Sequence, residues 1–434
     1  MLLRFGVFNF RSIHAYQSIS LVASALKDSP EQLIESGTGR ERVLPLLGLY
    51  GGNAAGKSNL LKAIYMFRSL ILHSQTKGEP GGGVPREPFL LDPESEKPSS
   101  RSQYDCDFVL KGVRYHFGVA TDSERVLEEW LYAYPEGHRQ VWYHRNVSES
   151  PVFHFGKFLK GRNRAIESLT RTNSLFLSAA AQNNHEQLGA IYEFFRDQLK
   201  FPGVSEAGKA LLRGNPIEDV SIRAQVLEFL RQADTGISGI RIHEEELPEP
   251  LSEFAIEFRS LMKTHVPDLP ESVLQSVEHP RKLQLAHQAA DGREVLLELE
   301  TESLGTRALL GMLGPVFTAL RDGTTLFIDE LTTSVHTLLA KALLQLFVSP
   351  KTNHRGAQLI FTTHDTNLLS AGVLRRDSIW FAEKDQVGAT TLFPLTDIET
   401  RNKDNLERGY LEGRFGAIPF VGNMAALLGE GGCP

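Results

Sequence analysis

Apolar and polar positions change their period several times along the chain, and each change predicts an element. Residues 2–10 (LLRFGVFNF), rich in Leu, Phe and Val, predict a strand. Residues 44–50 (LPLLGLY) form a short apolar run, the pattern of a strand buried on both faces. Leu60, Leu61, Ile64, Phe67, Leu70 and Ile71 then recur at helical spacing. The Gly/Pro-rich stretch 76–88 predicts a mobile surface loop. From 104 to 155 the period becomes two: Cys106, Phe108 and Leu110 alternate with polar residues, Lys111-Gly112 turns the chain, and Tyr115, Phe117 and Val119 resume. Further strands are expected near 128–134 and 140–145.

Helical spacing dominates next. Leu188, Ile191, Phe195 and Leu199 line one face, and Val226, Leu227 and Leu230 another. The acidic run Glu244–Glu246 before Pro248 reads as a solvated linker. After residue 281 strands return as LQLAHQA and EVLLELE around a turn at Asp291-Gly292. A helix over 306–321 leads to the buried strand TTLFIDE, and a helix over 336–347 leads to the buried strand QLIFTTH. This alternation at both ends predicts an α/β fold: one mixed sheet built from both termini, with a strand-plus-helix insertion between. The expected division is 1–75 and 281–434 as two parts of that α/β domain, 76–160 as loop and antiparallel β subdomain, and 161–280 as helical insertion. Internal repeats and sustained heptads are absent.

Composition narrows the class. The 434 residues are 41% hydrophobic and 23% charged, an ordinary globular mixture with room for two or three domain-sized units. Net charge is −7, whereas a dedicated nucleic-acid binder is usually basic, so nucleic acid as a partner is unsupported by charge. The densest basic stretch, Lys157, Lys160, Arg162 and Arg164, reads as a solvated face. Two distant cysteines, Cys106 and Cys433, exclude a disulfide framework and a Cys-based zinc site and fit a reducing cytoplasm. Arg4 and Asn9 interrupt the first apolar stretch, unlike a signal peptide, and Ala308–Leu320 is too short to span a bilayer, so no membrane segment is expected.

The chemistry concentrates in three segments. Gly51-Gly52-Asn53-Ala54-Ala55-Gly56-Lys57-Ser58 matches G-x-x-x-x-G-K-[ST] in full, between a buried strand and an amphipathic helix. Glycines let the backbone wrap phosphates so that successive N–H groups point at them, and the helix N-terminus faces the anion. Lys57 supplies a cation for the β- and γ-phosphates and the Ser58 hydroxyl a ligand for Mg²⁺. Thr325-Leu326-Phe327-Ile328-Asp329-Glu330 is an apolar strand ending in two carboxylates. Asp329 is expected in the Mg²⁺ shell and Glu330 as general base for the attacking water; an Asp-Glu pair at a helix start is the structural alternative. Gln358–Asp365 is a second buried strand ending in His364, placed where a γ-phosphate sensor belongs.

With these motifs in place the chain resembles the ATPases related to RecF, to the OLD nucleases and to the ABC/SMC heads. It is most similar to a bacterial group of AAA-family ATP/GTP phosphatases common in phage-defence loci. Asn53 and Asn59 within GGNAAGKSNLLKA carry the likeness, as do the opening FNFRSI, FIDEL followed by Ser334-Val335-His336, TTHD with Asn367-Leu368-Leu369, and the ending Gly413-Arg414-Phe415-Gly416-Ala417-Ile418-Pro419. The resemblance implies ATP and Mg²⁺ as ligands and a signature segment that reaches the partner's γ-phosphate across a dimer. Glu302-Ser303-Leu304-Gly305-Thr306 is the candidate, with the Ser303 hydroxyl and the Gly305 backbone as donors; without the family it reads as a helix cap. It implies a homo-oligomer, a dimer or a larger even assembly. The chain departs from the pattern at Thr332, where the group usually has an acid, and no glutamine stands out for the usual Mg²⁺-contacting role.

Four functions follow from these residues. The first is a cytoplasmic ATPase acting as sensor or scaffold in anti-phage defence with a separate effector protein. OLD nucleases carry a nuclease domain after the ATPase, but 70 of the 434 residues follow His364 here, and H-E-x-x-H and C-x-x-C are absent. The second is a RecF- or SMC-like ATPase of DNA repair or chromosome handling, opposed by the acidic balance and the lack of heptads. A transporter motor is opposed by the roughly 240-residue gap between phosphate loop and signature, and a non-hydrolysing scaffold by Glu330.

Overall fold

In the computed structural model, residues 1–39, 41–202, 216–244, 248–265, 281–401 and 404–418 are described. In chain order the strands are β1 (Leu2–Phe8), β2 (Gln17–Ser20), β3 (Ile34–Glu35), β4 (Arg42–Val43), β5 (Leu46–Tyr50), β6 (Ser102–Leu110), β7 (Val113–Thr121), β8 (Val126–Tyr134), β9 (Gln140–Asn146), β10 (Phe153–Phe155), β11 (Leu199–Lys200), β12 (Ile237–Glu244), β13 (Arg281–Gln288), β14 (Glu294–Glu298), β15 (Thr325–Ile328), β16 (Gln358–Thr362), β17 (Ile379–Lys384) and β18 (Thr390–Pro394). The helices are α1 (Lys57–His73), α2 (Pro93–Glu96), α3 (Asn163–Leu169), α4 (Phe176–Gln182), α5 (Glu186–Glu193), α6 (Val220–Gln232), α7 (Glu249–His265), α8 (Leu304–Asp322), α9 (Thr337–Val348), α10 (Asn367–Ser370) and α11 (Leu406–Leu411).

A six-stranded sheet in the order β11-β15-β16-β5-β17-β18 draws strands from both ends of the sequence, as expected. All pairings in it are parallel except β17 with β18. Both of its faces are covered, which is why β5, β15 and β16 read as continuous apolar runs. Leu47, Leu49, Phe327, Ile360 and Trp380 face one core with α1; Leu46, Leu326, Ile328, Leu359, Phe361, Ile379 and Phe381 face a second core with α6, α8 and α9.

The other side of α1 packs on a seven-stranded antiparallel sheet, β10-β9-β8-β7-β6-β1-β2. Phe67 of α1 centres an aromatic cluster there, 5.9 Å from Phe5, 6.0 Å from Tyr104, 5.7 Å from Phe117 and 5.6 Å from Phe195. One fully buried side chain ties the two sheets together. Gln358 of β16 accepts from the Leu2 backbone N–H at 2.8 Å and donates to the Leu2 carbonyl at 2.8 Å, and it accepts from the Thr325 hydroxyl at 3.0 Å. These bonds satisfy backbone groups of β1 that its strand neighbours leave free. The remaining sheets are β12-β13-β14 and the ribbon β3-β4.

The structure adds to the expected pattern and alters it in places. Pairing of β1 and β2 with β6 to β10 crosses the boundary expected at 75/76. Residues 76–88 contain no helix or strand, in keeping with the expected loop. Leu199, expected on a helical face, instead begins β11: helix α5 ends in a π-turn at Phe194–Gln198, and the edge of the parallel sheet captures the next two residues beside Thr325 and Leu326. The acidic run lies largely outside the described residues, with Glu244 closing β12, and Pro419 and Cys433 lie outside them too. Cys106 is a buried free thiol. Lys157, Lys160, Arg162 and Arg164 are exposed, as a solvated face requires. Among the described residues, no helix is long and apolar enough to cross a membrane.

Candidate nucleotide site

Strand β5 ends at Tyr50 and α1 begins at Lys57, so the loop between them lies at the C-terminal edge of the parallel sheet, where α/β folds place ligands. Two glycines are required here by geometry. Gly51 (φ 149) passes so close to the Ala382 carbonyl that a Cβ would sit 2.3 Å from its oxygen. At Gly56 (φ 103) a Cβ would lie 2.1 Å from the Thr390 hydroxyl and 2.8 Å from that of Ser12. Ala54 (φ 61) also holds a left-handed conformation, so the loop stays curled. Its far side is braced: the Ser12 hydroxyl accepts from Asn59 Nδ2 at 2.7 Å and lies 2.7 Å from Thr390 Oγ1, whose hydroxyl donates to the Ala55 carbonyl at 2.9 Å.

Lys57 is 5% exposed and turns its ammonium back over the loop, donating to the carbonyls of Gly51 at 2.8 Å and Gly52 at 2.9 Å. Burial pushes its pKa down to about 8, against the pull of Glu330 and Asp329. Lys57 Nζ also stands 3.4 Å from His364 Nδ1. An ammonium has no lone pair, so in this contact Nδ1 can only accept. Burial, and next the Lys57 charge, hold His364 below its usual range. Its Nε2 faces Glu330 Oε1 at 3.8 Å.

The two carboxylates arrive from the end of β15. Asp329 Oδ1 accepts from the Ser58 hydroxyl at 3.0 Å and from the Thr362 hydroxyl at 2.6 Å. Glu330 has φ 55, a left-handed conformation unusual for a residue with a Cβ. Its amide donates to Thr362 Oγ1 at 2.8 Å, and its Oε2 accepts from Thr333 Oγ1 at 2.9 Å. Ser58, Asp329, Glu330, Lys57 and His364, from three parallel strand ends, are thus brought together. Ser58 and Asp329 present hard oxygen donors to one point and are not fully buried, which fits Mg²⁺, an ion that keeps waters and phosphate oxygens in its shell.

Ser303 and Gly305 stand apart from this group. Ser303 caps α8, accepting from the Thr306 amide at 3.1 Å, and it is exposed beside Leu304, which is 69% exposed. Gly305 lies against the loop after Glu330: a Cβ there would be 2.7 Å from the Ser334 carbonyl. Thr332, in place of the usual acid, lies 2.9 Å from the Thr363 hydroxyl.

Thr362, Thr333, Ser12 and Thr390 support the site without having been expected from the sequence. Thr362 stands two residues before His364 in the TTH run, and Ser12 lies in the opening FNFRSI, so both carried a local signal. Thr390 carries none, because β18 meets the loop only through the sheet.

No curated protein matches the chain in sequence. Among solved structures, the SMC head domain from Thermotoga maritima aligns with a TM-score of 0.35 and 12% identity, over 92% of this chain and 99% of that one. An SMC head bound to the C-winged helix domain of ScpA gives 0.41 and 11%, over 90% and 96%. A head with an extended coiled coil, bound to a ScpA domain from Pyrococcus furiosus, gives 0.40 and 11%, over 91% and 97%. A family model described as "AAA domain, putative AbiEii toxin, Type IV TA system" matches residues 46–370, from the first residue of β5 to the last of α10. The phosphate loop, both carboxylates and His364 all fall inside that match, and the chain belongs to this family of AAA-type P-loop ATPases.

Proposed function

We propose that the chain binds ATP with Mg²⁺ in the Gly51–Ser58 loop and hydrolyses it at a site completed by Ser303 and Gly305 of a second copy. We propose further that it works in the cytoplasm as a sensor or scaffold of anti-phage defence, beside a separate effector. The observation that carries the catalytic reading is the convergence of Lys57, Ser58, Asp329, Glu330 and His364 at three strand ends. The toxin–antitoxin description of the family supports the defence role.

In this reading the loop amides and Lys57 hold the β- and γ-phosphates, the ammonium keeping the Gly51 and Gly52 carbonyls and turning its third donor to a phosphate oxygen. Ser58 and Asp329 hold Mg²⁺, which when bound neutralises charge developing on the phosphates. Glu330, oriented by Thr362 and Thr333, takes the proton of the attacking water. Neutral His364 donates from Nε2 toward the γ-phosphate. The exposed N-terminus of the 19-residue helix α8 supports the composite site, since Ser303 bonds within its own cap and is open to a partner's anion.

Glu330→Gln tests both halves. Hydrolysis falls by a factor on the order of 10² to 10⁴ while binding persists. The trapped ATP then accumulates dimers or larger even assemblies, read by light scattering after gel filtration with ATP, with ADP and without nucleotide. Ser303→Trp reverses the accumulation and leaves monomer binding intact. Hydrolysis by Ser303→Trp at the wild-type rate rules out the composite site.

A further inference from the structure

The segment Gly413–Ile418 lies far from the phosphate loop in sequence and reaches it in the fold. The Gly52 amide, in a buried glycine, donates to the Ala417 carbonyl at 3.0 Å. The Tyr410 hydroxyl donates to the same carbonyl at 2.9 Å. Both lone pairs of that oxygen are therefore used. Ala417 holds φ 55 and Gly416 φ 68, a tight reversal that aims the carbonyl inward. Tyr410 is 5% exposed, with its ring stacked on Phe381 at 5.5 Å and edge-on to Tyr50 at 6.4 Å. Burial raises its hydroxyl to about 12, so it remains a donor at every working pH.

What the Ala417 carbonyl orients is one peptide plane. The Gly51 carbonyl and the Gly52 amide belong to the same planar trans unit, whose C=O and N–H point in opposite directions. The carbonyl of that unit accepts from Lys57. The unit is flanked by glycine on both sides, and glycine rotates cheaply, so nothing in its own side chains prevents it from flipping. A flip would aim the amide at the Lys57 ammonium and the carbonyl away from it. The bond to Ala417 blocks this.

We infer that Tyr410 and the 413–418 segment are positioning elements of the nucleotide site, setting the Gly51–Gly52 peptide and through it Lys57 for phosphate binding. The inference rests on the ATP-binding reading above. It makes the end of the described chain a part of the phosphate loop's support, so that displacement of this segment lowers nucleotide affinity.

The test uses the full chain and three variants, with the Kd for a non-hydrolysable ATP analogue with Mg²⁺, KM and kcat for ATP, and the melting temperature without nucleotide. Tyr410→Phe keeps the ring packing and removes one donor; Kd and KM rise about two- to tenfold, the worth of one hydrogen bond, with kcat kept. For Ala417→Pro, whose ring excludes positive φ, they rise more than tenfold. Ala417→Gly, which keeps the carbonyl, stays within twofold of wild type. Should Ala417→Pro fail to fold, Tyr410→Phe decides alone. A Tyr410→Phe protein with a lowered melting temperature and unchanged Kd and KM assigns Tyr410 to packing only and overturns the inference. Failure of wild-type protein to bind the analogue instead overturns the ATP-binding reading itself.

Discussion

Raising the pH from 7 to 9 perturbs one group at the phosphate loop that an ordinary lysine site would not titrate. Burial lowers Lys57 to about 8 in the ligand-free site, the charges of Glu330 and Asp329 offsetting only part of that cost. An ammonium pressed against a triphosphate stays charged, so binding at pH 9 must first protonate a lysine that is then about nine-tenths neutral. Affinity for ATP should therefore fall about tenfold between pH 7 and pH 9, whereas a lysine at its usual value would change it by only about a few per cent. The terminal phosphate loses its last proton at about pH 6, so the small ionisation left above pH 7 strengthens binding and works against this fall. The ligand-free fold responds with the opposite sense. A lysine whose folded pKa is lowered costs stability as pH falls from 10.5 to about 8, and below that the cost is constant. The assay is isothermal titration of a non-hydrolysable analogue at pH 7, 8 and 9 in two buffers of different ionisation enthalpy, which reports proton uptake directly. Lys57→Arg, permanently charged, should bind with no such slope whatever its affinity. A wild-type Kd constant within twofold from pH 7 to 9 refutes the argument.

Two further substitutions probe the scaffold. Gly56→Ala forces a Cβ to 2.1 Å from Thr390 Oγ1 at φ 103, and should cost on the order of 2 kcal/mol and weaken analogue binding more than tenfold; normal binding in titration would show that the loop is not held by β18. Gln358→Leu strands the Leu2 amide, the Leu2 carbonyl and the Thr325 hydroxyl in the core, and should cost about 3 to 6 kcal/mol in urea denaturation; a loss below about 1 kcal/mol would mean that Gln358 does not join the sheets.

Local chemistry alone makes part of this protein legible in its sequence. The phosphate loop declares itself because glycine at tight positions and a Lys-Ser pair at a helix start are demands of the bound phosphate, met within eight consecutive residues. Strands β5, β15 and β16 are readable because both faces are buried, and their Asp329, Glu330 and His364 follow as strand-end residues. Tertiary structure alone decided the rest. That β1 belongs to the antiparallel sheet follows from pairing with β6, about a hundred residues away, and from Gln358, neither of which leaves a periodic trace. Strand β11 is two residues captured by an edge, too short to register in hydropathy. The Ser12, Thr390 and Ala417 contacts to the phosphate loop join segments far apart in the chain, two of them through backbone atoms that every residue type shares. A sequence specifies a backbone donor everywhere and its partner nowhere; only the packed fold brings Gly52 to Ala417.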